Sequence, residues 1–143
     1  MKIKQLSIFV ENKAGRLAEI TNTLAEAKID IRAISVADTT EFGILRLIVD
    51  DPERACAHLK KESVTVSLTE VIAVDITDTP GELAKAMTVL SDNGIAIEYV
   101  YAFFSRDRGK ASVILKVDDS DRAIKVFDSA NINVLSSAQI HGM

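Results

Sequence analysis

The stretch LSIFVENKAGRLA at Leu6–Ala18 decides the fold, because the chain repeats its pattern as IAVDITDTPGELA at Ile72–Ala84. Each stretch has an apolar strand, a polar turn that contains glycine, and the opening of a helix. A second match follows at a similar interval, since VDDPERA at Val49–Ala55 corresponds to VDDSDRA at Val117–Ala123. A repeat of this length predicts two small folded units, and it doubles any binding site that one unit carries.

Both halves show the same order of elements, strand–helix–strand–strand–helix–strand. In the first half we expect strands at 3–10, 29–37, 44–49 and 64–68, and helices after the turns at 12–15 and 51–53. In the second half we expect strands at 71–76, 95–104, 110–117 and 132–140, and helices at about 80–92 and 120–129. Hairpin turns are expected at 39–43 and 105–109.

The order of elements predicts an α+β fold. Strand–helix–strand crossovers are right-handed, so two interlocked crossovers form a ferredoxin-like βαββαβ unit, an antiparallel sheet with both helices on one face. We place the two domains at 1–69 and 70–143, joined by a link near Thr69 and Glu70 that is too short to be flexible.

Charge and composition exclude several classes of partner. The 143 residues carry 17 Lys and Arg against 21 Asp and Glu, a net charge of −4, whereas a nucleic-acid backbone requires a basic face. No apolar run is long enough to cross a bilayer, and Met1–Gln5 leads into a strand without a signal-peptide core. The single cysteine, Cys56, cannot form an intrachain disulfide, so a reducing cytoplasm is the simplest location.

The turn between the first strand and the first helix carries the most specific chemistry of each half. The first N–H groups of a helix lack intrahelical acceptors and carry a partial positive charge, and a glycine beside them lets another group approach the backbone. Gly15 and Gly81 each occupy such a position, which suits the carboxylate of a small acid. Asn12 and Asp78 offer an oxygen acceptor for an ammonium group. Two plainer interpretations stay open, in which the glycines are only tight-turn residues and Asn12 and Asp78 are only helix caps.

The two turns resemble the signature of a known family. NKAGRL at Asn12–Leu17 and DTPGEL at Asp78–Leu83 are similar to the Asn/Asp-x-Pro-Gly-x-Leu motif of the ACT domain. Lys28–Ile31 and Gly94–Ile97 are similar to the start of the family's second strand. The resemblance covers both halves, and it implies a tandem ACT domain protein. Such a protein is a regulatory module that binds a small ligand, often an amino acid, at an interface between two ACT units.

The resemblance also implies which residues contact the ligand. In the family, the ligand typically meets the glycine loop of one unit and the start of the second strand of its neighbour. The candidate ligand-binding residues are therefore Asn12, Ala14, Gly15, Arg16, Leu17, Asp30 and Ile31 in the first copy, and Asp78, Pro80, Gly81, Glu82, Leu83, Ala96 and Ile97 in the second. A homo-oligomer, in the simplest case a dimer, is expected, and neither a cofactor nor a metal is implied.

The two copies differ in the turn itself. Ala14 departs from the family's proline, whereas Pro80 keeps it. Thr79 and Glu82 fit a capping box, with Pro80 at the first helical position.

Charge also distinguishes the two helix starts. Lys13 and Arg16 place positive charge at the start of the first helix, where it is unfavourable by about a few tenths of a kcal/mol. Unfavourable charge at a helix start is typical of a site that accepts an anion, so we favour the first loop for the carboxylate. If each loop faces the other copy's second strand, Asp30 lies near the second loop.

No catalytic set is visible in the sequence. It contains two histidines and one cysteine, and nothing matches a nucleophile triad, a metal-ligand spacing or a phosphate-binding loop. We therefore expect a non-catalytic sensor of an amino acid that signals to another protein, for which an enzyme is one candidate. The alternative is a ligand-free interaction or oligomerisation module. An RNA-binding domain would need stacking aromatics on a basic face, and Arg16 with Asn12 matches an acylphosphatase-like enzyme only in outline.

Overall fold

The computed structural model describes residues 1–38, 41–104 and 109–141. The chain divides into two compact units. The first unit consists of Lys4–Thr69, and the second unit consists of Glu70–Met143 together with Met1–Ile3. The domain limits expected from the sequence, 1–69 and 70–143, remain a prediction. The expected hairpin turns lie largely outside the described residues, which omit 39–40 and 105–108, although Phe42 and Gly43 belong to a strand.

The first unit is a sheet with two helices against one face. Its elements are β1 (Ile3–Glu11), α1 (Arg16–Glu26), β2 (Ile31–Asp38), β3 (Phe42–Val49), α2 (Pro52–Lys61) and β4 (Thr65–Thr77). The strand order is β2-β3-β1-β4, and β3 pairs antiparallel with both β1 and β2. Strands β1 and β2 therefore run in the same direction, and their carboxyl ends lie at the same end of the sheet.

The second unit repeats this order. Its further elements are α3 (Glu82–Asp92), β5 (Ile97–Phe104), β6 (Lys110–Val117), α4 (Ser120–Ser129), β7 (Asn133–Val134) and α5 (Ser137–His141). The strand order is β5-β6-β4-β7, with antiparallel neighbours throughout. The predicted α+β class with two ferredoxin-like βαββαβ units is confirmed.

Each unit has its own hydrophobic core between sheet and helices. Alternate side chains of β1 are buried, so Leu6, Ile8 and Val10 face α1, which buries Ile20 and Leu24 at helical spacing. The core of the second unit is built the same way, and its members include Ile72, Val74, Ala86, Leu90, Leu115 and Phe127. An 11-residue helix is marginal in isolation, so this packing is what holds α1 and α3 in place.

The second helix of each unit begins at an aspartate. Asp51 accepts a hydrogen bond from the N–H of Arg54 (3.2 Å), and Pro52 opens α2 as the sequence predicts. Asp119 does the same for α4 through the N–H of Arg122 (3.1 Å). Among the described residues, no helix is long and apolar enough to span a bilayer.

A β-bulge interrupts the second strand of both units. In β2, the register with β3 shifts between Ile31 and Ala33. An equivalent shift lies between Ile97 and Tyr99 in β5. The bulge is therefore a property of the repeated unit.

One expected strand boundary is wrong. Separate strands are expected at 64–68 and 71–76, whereas the structure has the single strand β4 over Thr65–Thr77. This segment contains no glycine, proline or asparagine to end a strand, and the short polar stretch at Thr69 and Glu70 does not interrupt it.

The end of the chain also differs from the expectation of a strand at 132–140. Strand β7 ends at Val134, and helix α5 follows. The cause is a reciprocal cap: the N–H of Gln139 donates to Ser136 Oγ (3.2 Å), and Gln139 Oε1 accepts from the N–H of Ser136 (2.8 Å). This is the Ser-x-x-Gln capping box, a helix-start signal that the apolar pattern conceals.

Replacement of one buried leucine tests the packing of α3 against its sheet. Leu90 is fully buried and Leu83, on the same helix, is 46% exposed. We expect Leu90→Ala to lower the free energy of unfolding by about 2–5 kcal/mol because it leaves a cavity, and Leu83→Ala to lower it by less than about 1 kcal/mol. Urea unfolding followed by circular dichroism measures both, and equal losses would contradict this placement of α3.

Candidate functional site

The two glycine elbows, Asn12–Gly15 and Asp78–Gly81, have nearly the same backbone. Gly15 and Gly81 are the N-caps of α1 and α3, with φ of 84° and 92°, and no side chain caps either helix. A Cβ built on either glycine would meet no atom within 4 Å. The positive φ, and not close packing, therefore requires glycine, and the space beside each helix start is open.

Main-chain hydrogen bonds fix each elbow to the neighbouring hairpin. The N–H of Asn12 donates to the carbonyl oxygen of Glu41 (3.0 Å), and the N–H of Asp78 donates to that of Gly109 (2.7 Å). Because the N-caps are the glycines, Asn12 and Asp78 are not helix caps. Both residues are exposed, and their side chains remain available as acceptors.

The expected capping box of the second elbow is wrong. Helix α3 begins at Glu82, so Pro80 lies in the turn and not at the first helical position. The N–H of Glu82 donates to the carbonyl oxygen of Thr79 (3.3 Å), and its carboxylate pairs with Lys85 (3.3 Å). The left-handed glycine takes the N-cap position from Thr79, which leaves the first turn of α3 without a side-chain cap.

Each cation of the first elbow has a carboxylate partner. Lys13 Nζ lies 2.9 Å from Glu11 Oε2, and Arg16 lies 2.8 Å from Glu19 Oε2. The hydrogen bond with Lys13 lowers the pKa of Glu11, and the same bond raises the pKa of Lys13. These pairs offset the unfavourable charge expected at this helix start, so charge alone does not distinguish the two elbows.

The first elbow opens into a recess of about 140 Å³. The recess brings together four of the predicted residues, Asn12, Gly15, Arg16 and Leu17, whereas Ala14 is exposed in the turn and does not line it. Its remaining wall includes Val36 of the edge strand β2, which the sequence analysis does not select. Leu17 and Val36 are 38% and 48% exposed, so an apolar surface lies beside the bare helix start.

Asp30 and Ile31 do not join this recess. They precede and open β2, whose carboxyl end lies beside the elbow, so the length of the strand separates them from Gly15. At about 3.3 Å per residue, that length is roughly 23 Å. Within one unit, the glycine elbow and the start of the second strand therefore cannot contact the same small ligand.

An aspartate clasps the start of this strand in each unit. Asp50 Oδ1 accepts from the N–H of Asp30 (3.0 Å), and the N–H of Asp50 donates back to the carbonyl oxygen of Asp30 (3.1 Å). Asp118 makes the same two bonds with Ala96, both 3.1 Å. The sequence predictions assign no role to Asp50 or Asp118, although the repeated Val-Asp-Asp motif is the signal that marks them.

The second elbow opens on a different groove. Gly81 and Glu82 line a groove of about 640 Å³ in the second unit, together with residues that the sequence analysis does not select: Lys85, Thr88, Lys110, Asn131 and Asn133. The predicted residues Asp78, Pro80 and Leu83 are exposed and do not line it. Ala96 and Ile97 lie at the opposite end of the sheet, because Ile97 pairs with Val117 whereas Thr77, beside the elbow, pairs with Lys110.

In the described part of the chain, no three His, Cys, Asp or Glu side chains form a cluster that could hold a metal ion. Cys56 is a buried free thiol in the core of the first unit. The groups that converge at the elbows are main-chain amides, an amide or carboxylate side chain and exposed cations, which suits binding of a small polar molecule.

Comparison with known families identifies one that matches the whole chain. The family model that describes an ACT domain pair matches residues 1–143. A crystal structure of a Bacteroides thetaiotaomicron protein has a TM-score of 0.94 and 38% identity, over 100% of this chain and 98% of that one. The ligand-free regulatory subunit of aspartate kinase from Thermus thermophilus has a TM-score of 0.64 and 18% identity, over 89% and 91%. No curated protein matches the chain.

Removal of the clasp tests whether it holds the strand start. We expect Asp118→Ala to cost about 1 kcal/mol of stability and to speed exchange of the Ala96 amide proton, because that N–H loses its acceptor. Asp118→Asn keeps an oxygen acceptor and should retain most of the protection. Hydrogen exchange by NMR measures both, and an Ala96 amide unaffected by Asp118→Ala would contradict the clasp.

Proposed function

The chain belongs to the family of ACT domain pairs, and on this premise we propose that it is a non-catalytic sensor that binds an amino acid at its glycine elbows. The family is one of regulatory ligand-binding modules, and the relative in Thermus thermophilus is a regulatory subunit. One observation carries the proposal: both elbows combine a left-handed glycine, a helix start without a side-chain cap, and open space beside the glycine.

The first elbow supplies the groups that an α-amino acid requires. The bare N–H groups at the start of α1 and the positive end of its dipole bind the carboxylate. The side-chain oxygen of Asn12 accepts from the ammonium group. Leu17 and Val36 form an apolar wall for the side chain. We therefore retain the first elbow as the preferred position for the carboxylate, on the basis of the recess and not of Lys13 and Arg16, which are paired.

The size of the recess favours a small ligand. The recess has a volume of about 140 Å³, against about 640 Å³ for the groove of the second unit. An amino acid with a short side chain fills such a space, whereas a bulky aromatic one requires walls that move or are added by another unit.

A second ACT unit completes this site. Because Asp30 and Ile31 lie roughly 23 Å from the elbow of their own unit, the strand start that meets the ligand must come from a different unit. If unlike copies meet, Ala96 and Ile97 complete the first elbow, and Asp30 and Ile31 complete the second one at Asp78, Gly81 and Glu82. The protein would then act as a homodimer in the cytoplasm, where the lone thiol of Cys56 stays reduced.

A ligand held between two ACT units would regulate a partner without any catalysed reaction. A ligand that contacts two units binds better to the arrangement that closes on it, so it shifts the population toward that arrangement. A protein partner that binds one arrangement better is then coupled to the ligand. The partner changes the affinity for the ligand, and the ligand changes the affinity for the partner, by the same free energy.

A ligand-free interaction module is the second candidate, and the edge strands favour it. Strands β2 and β5 end the sheet order, and they carry the exposed apolar residues Ile34 (50%), Val36 (48%) and Val100 (43%). An exposed strand edge with apolar side chains pairs readily with another chain. Under this candidate, the same edges join copies of the protein and the elbows stay empty.

Isothermal titration against the common amino acids tests the sensor. We expect at least one of them to bind, and Gly15→Ala to weaken that binding at least about tenfold, because alanine is strained at a φ of 84° and its methyl group fills the ligand's space. Ser63→Val is the matched control: Ser63 also has a positive φ, of 62°, but lies away from both elbows. If Gly15→Ala stays folded and binds every amino acid as the unaltered chain does, the assignment of this elbow is wrong.

A charge on the edge strand tests the oligomer. We expect Ile34→Lys to convert a dimer into monomers, because a lysine on an edge strand opposes pairing with a second chain. Sedimentation velocity measures the change, and Lys60→Ala, on the surface of α2, is the control. A dimer that survives Ile34→Lys would show that β2 is not the contact.

A further inference from the structure

The first helices of the two units end with the same backbone but with different residues. In the first unit the C-cap is Ala27, and the residue after it, Lys28, has a φ of 56°. In the second unit the corresponding residues are Asn93 and Gly94, and Gly94 has a φ of 67°. Since lysine adopts this left-handed conformation in one copy, the fold does not require glycine in the other. The Asn-Gly pair is therefore a chemical difference that the repeated backbone does not impose.

Hydrogen bonds show that the two helix ends are equivalent. The N–H of Lys28 donates to the carbonyl oxygen of Ala25 (3.0 Å). The N–H of Gly94 donates in the same way to the carbonyl oxygen of Ser91 (3.0 Å). A residue of the first unit can therefore replace its counterpart in the second unit without a change of backbone.

An asparagine that precedes glycine lies next to its own reaction partner. The following main-chain nitrogen can attack the side-chain carbonyl carbon, and glycine permits this approach because it has no Cβ. Among the asparagines of this chain, only Asn93 precedes a glycine. Asn93 is half-buried and Gly94 is exposed, so solvent reaches the main-chain nitrogen. This pair is thus the place in the sequence where the attack meets the least steric hindrance.

The folded structure restrains both reacting groups. Asn93 Nδ2 donates to the carbonyl oxygen of Val89 (2.8 Å), which holds the carboxamide against the preceding turn of α3. The N–H of Gly94 must lose its proton before the nitrogen can attack, and it is held by the carbonyl oxygen of Ser91 (3.0 Å). Both bonds belong to the last turn of α3, so both break when this turn opens. The reaction therefore requires an opened helix end.

We propose that Asn93–Gly94 is a site of spontaneous deamidation whose rate is set by opening of the last turn of α3. In the opened state, hydroxide removes the proton of the Gly94 N–H, and the nitrogen attacks Cγ of Asn93. A new C–N bond forms, the bond from Cγ to Nδ2 breaks, and ammonia leaves with a proton from water. Water then opens the cyclic imide at either carbonyl, which gives aspartate or isoaspartate at position 93. One water molecule is consumed, and no oxidant or reductant is needed.

The products weaken the helix end that restrains the reaction. A carboxylate cannot donate to the carbonyl oxygen of Val89, and it adds negative charge beside Asp92 at the negative end of the helix dipole. Isoaspartate also lengthens the main chain by one carbon before Ile95, which is buried and donates to the carbonyl oxygen of Leu90 (3.0 Å). Each product therefore favours the opened turn.

The weakened turn lies beside the clasped start of β5. Ala96 follows Ile95 directly, and its N–H donates to Asp118 Oδ1 (3.1 Å). Modification of Asn93 is therefore expected to loosen this clasp as well. The corresponding clasp of the first unit follows Ala27, which has no amide group to lose. The reaction needs no bound ligand, so it is independent of the proposed function.

Incubation of the full-length chain at mildly alkaline pH, followed by peptide mass spectrometry, tests the site. We expect aspartate and isoaspartate to accumulate at position 93 before any other asparagine is modified. The rate should rise at least about tenfold when urea unfolds the chain. Earlier modification of another asparagine, or equal rates at position 93 in the folded and unfolded chain, would overturn the proposal.

Residues of the first unit supply the matched variants. Gly94→Lys introduces the counterpart Lys28, which adopts the same left-handed backbone. We expect this variant to stay folded and to slow the reaction at Asn93 in urea at least about tenfold, because its Cβ hinders the attack. Asn93→Ala introduces the counterpart Ala27 and serves as the blank. A Gly94→Lys chain that reacts as fast as the unaltered chain in urea would contradict attack by this nitrogen.

Two buried leucines separate local from global opening. Leu90→Ala loosens α3, and Leu24→Ala makes the same change in α1 of the first unit. We expect Leu90→Ala to speed the reaction at Asn93 in the folded chain and to leave the rate in urea unchanged. Leu24→Ala should change neither rate. Equal acceleration by both variants, or by neither, would contradict control by the end of α3.

The effect of the modification on α3 has its own measurement. Asn93→Asp carries the charge of one product, whereas Asn93→Ala removes the amide without adding charge. We expect Asn93→Asp to have the lower melting temperature and faster hydrogen exchange at the Ile95 and Ala96 amides. Exchange at these two amides as slow as in the unaltered chain would show that the modification does not weaken the helix end.

Discussion

A left-handed glycine between strand and helix is the constraint on which each unit depends. The chain leaves the central strand, turns through Gly15 or Gly81 at a φ that other residues adopt at a cost, and enters a helix that lies back on the sheet. An 11-residue helix is marginal by itself, so its burial against the strand it has just left stabilises both elements. The same turn leaves the first helical amides without a side-chain cap, so the geometry that folds the unit also leaves these donors without a side-chain acceptor.

The duplication preserved backbone chemistry and changed side chains. Both units share the elbow, the hydrogen bond from elbow to hairpin, the bulge of the second strand and the aspartate clasp at its start. They differ at the surfaces beside the elbow: Phe9 and Phe42 in one unit correspond to Asp75 and Lys110 in the other. The backbone that builds the elbow is therefore common to both units, whereas the polarity of the surface beside it is not.

Much of the fold is predictable from local pattern, and the errors have local causes. The order of elements and the cap at Asp51 follow from apolar period and residue preference. Two strands are expected where β4 is continuous, because the short polar stretch at Thr69 and Glu70 resembles a strand boundary when the pairing of the strand is unknown. The final helix was missed because isoleucine and valine at 132–134 suggest a strand, while the capping box that starts at Ser136 decides otherwise.

The sequence by itself determined that the chain is duplicated, that each half is a βαββαβ unit, and that glycine precedes each first helix. These are properties of short stretches, in which the apolar period and the backbone preference of each residue can be recognised directly. Only the tertiary structure decided that Val36 joins the first recess, that Asp30 and Ile31 lie at the far end of their own sheet, and that the second elbow opens toward Asn131 and Asn133. The reason is physical: which flank of a helix stays open depends on elements that pack against it from distant parts of the chain, and no local pattern records that choice.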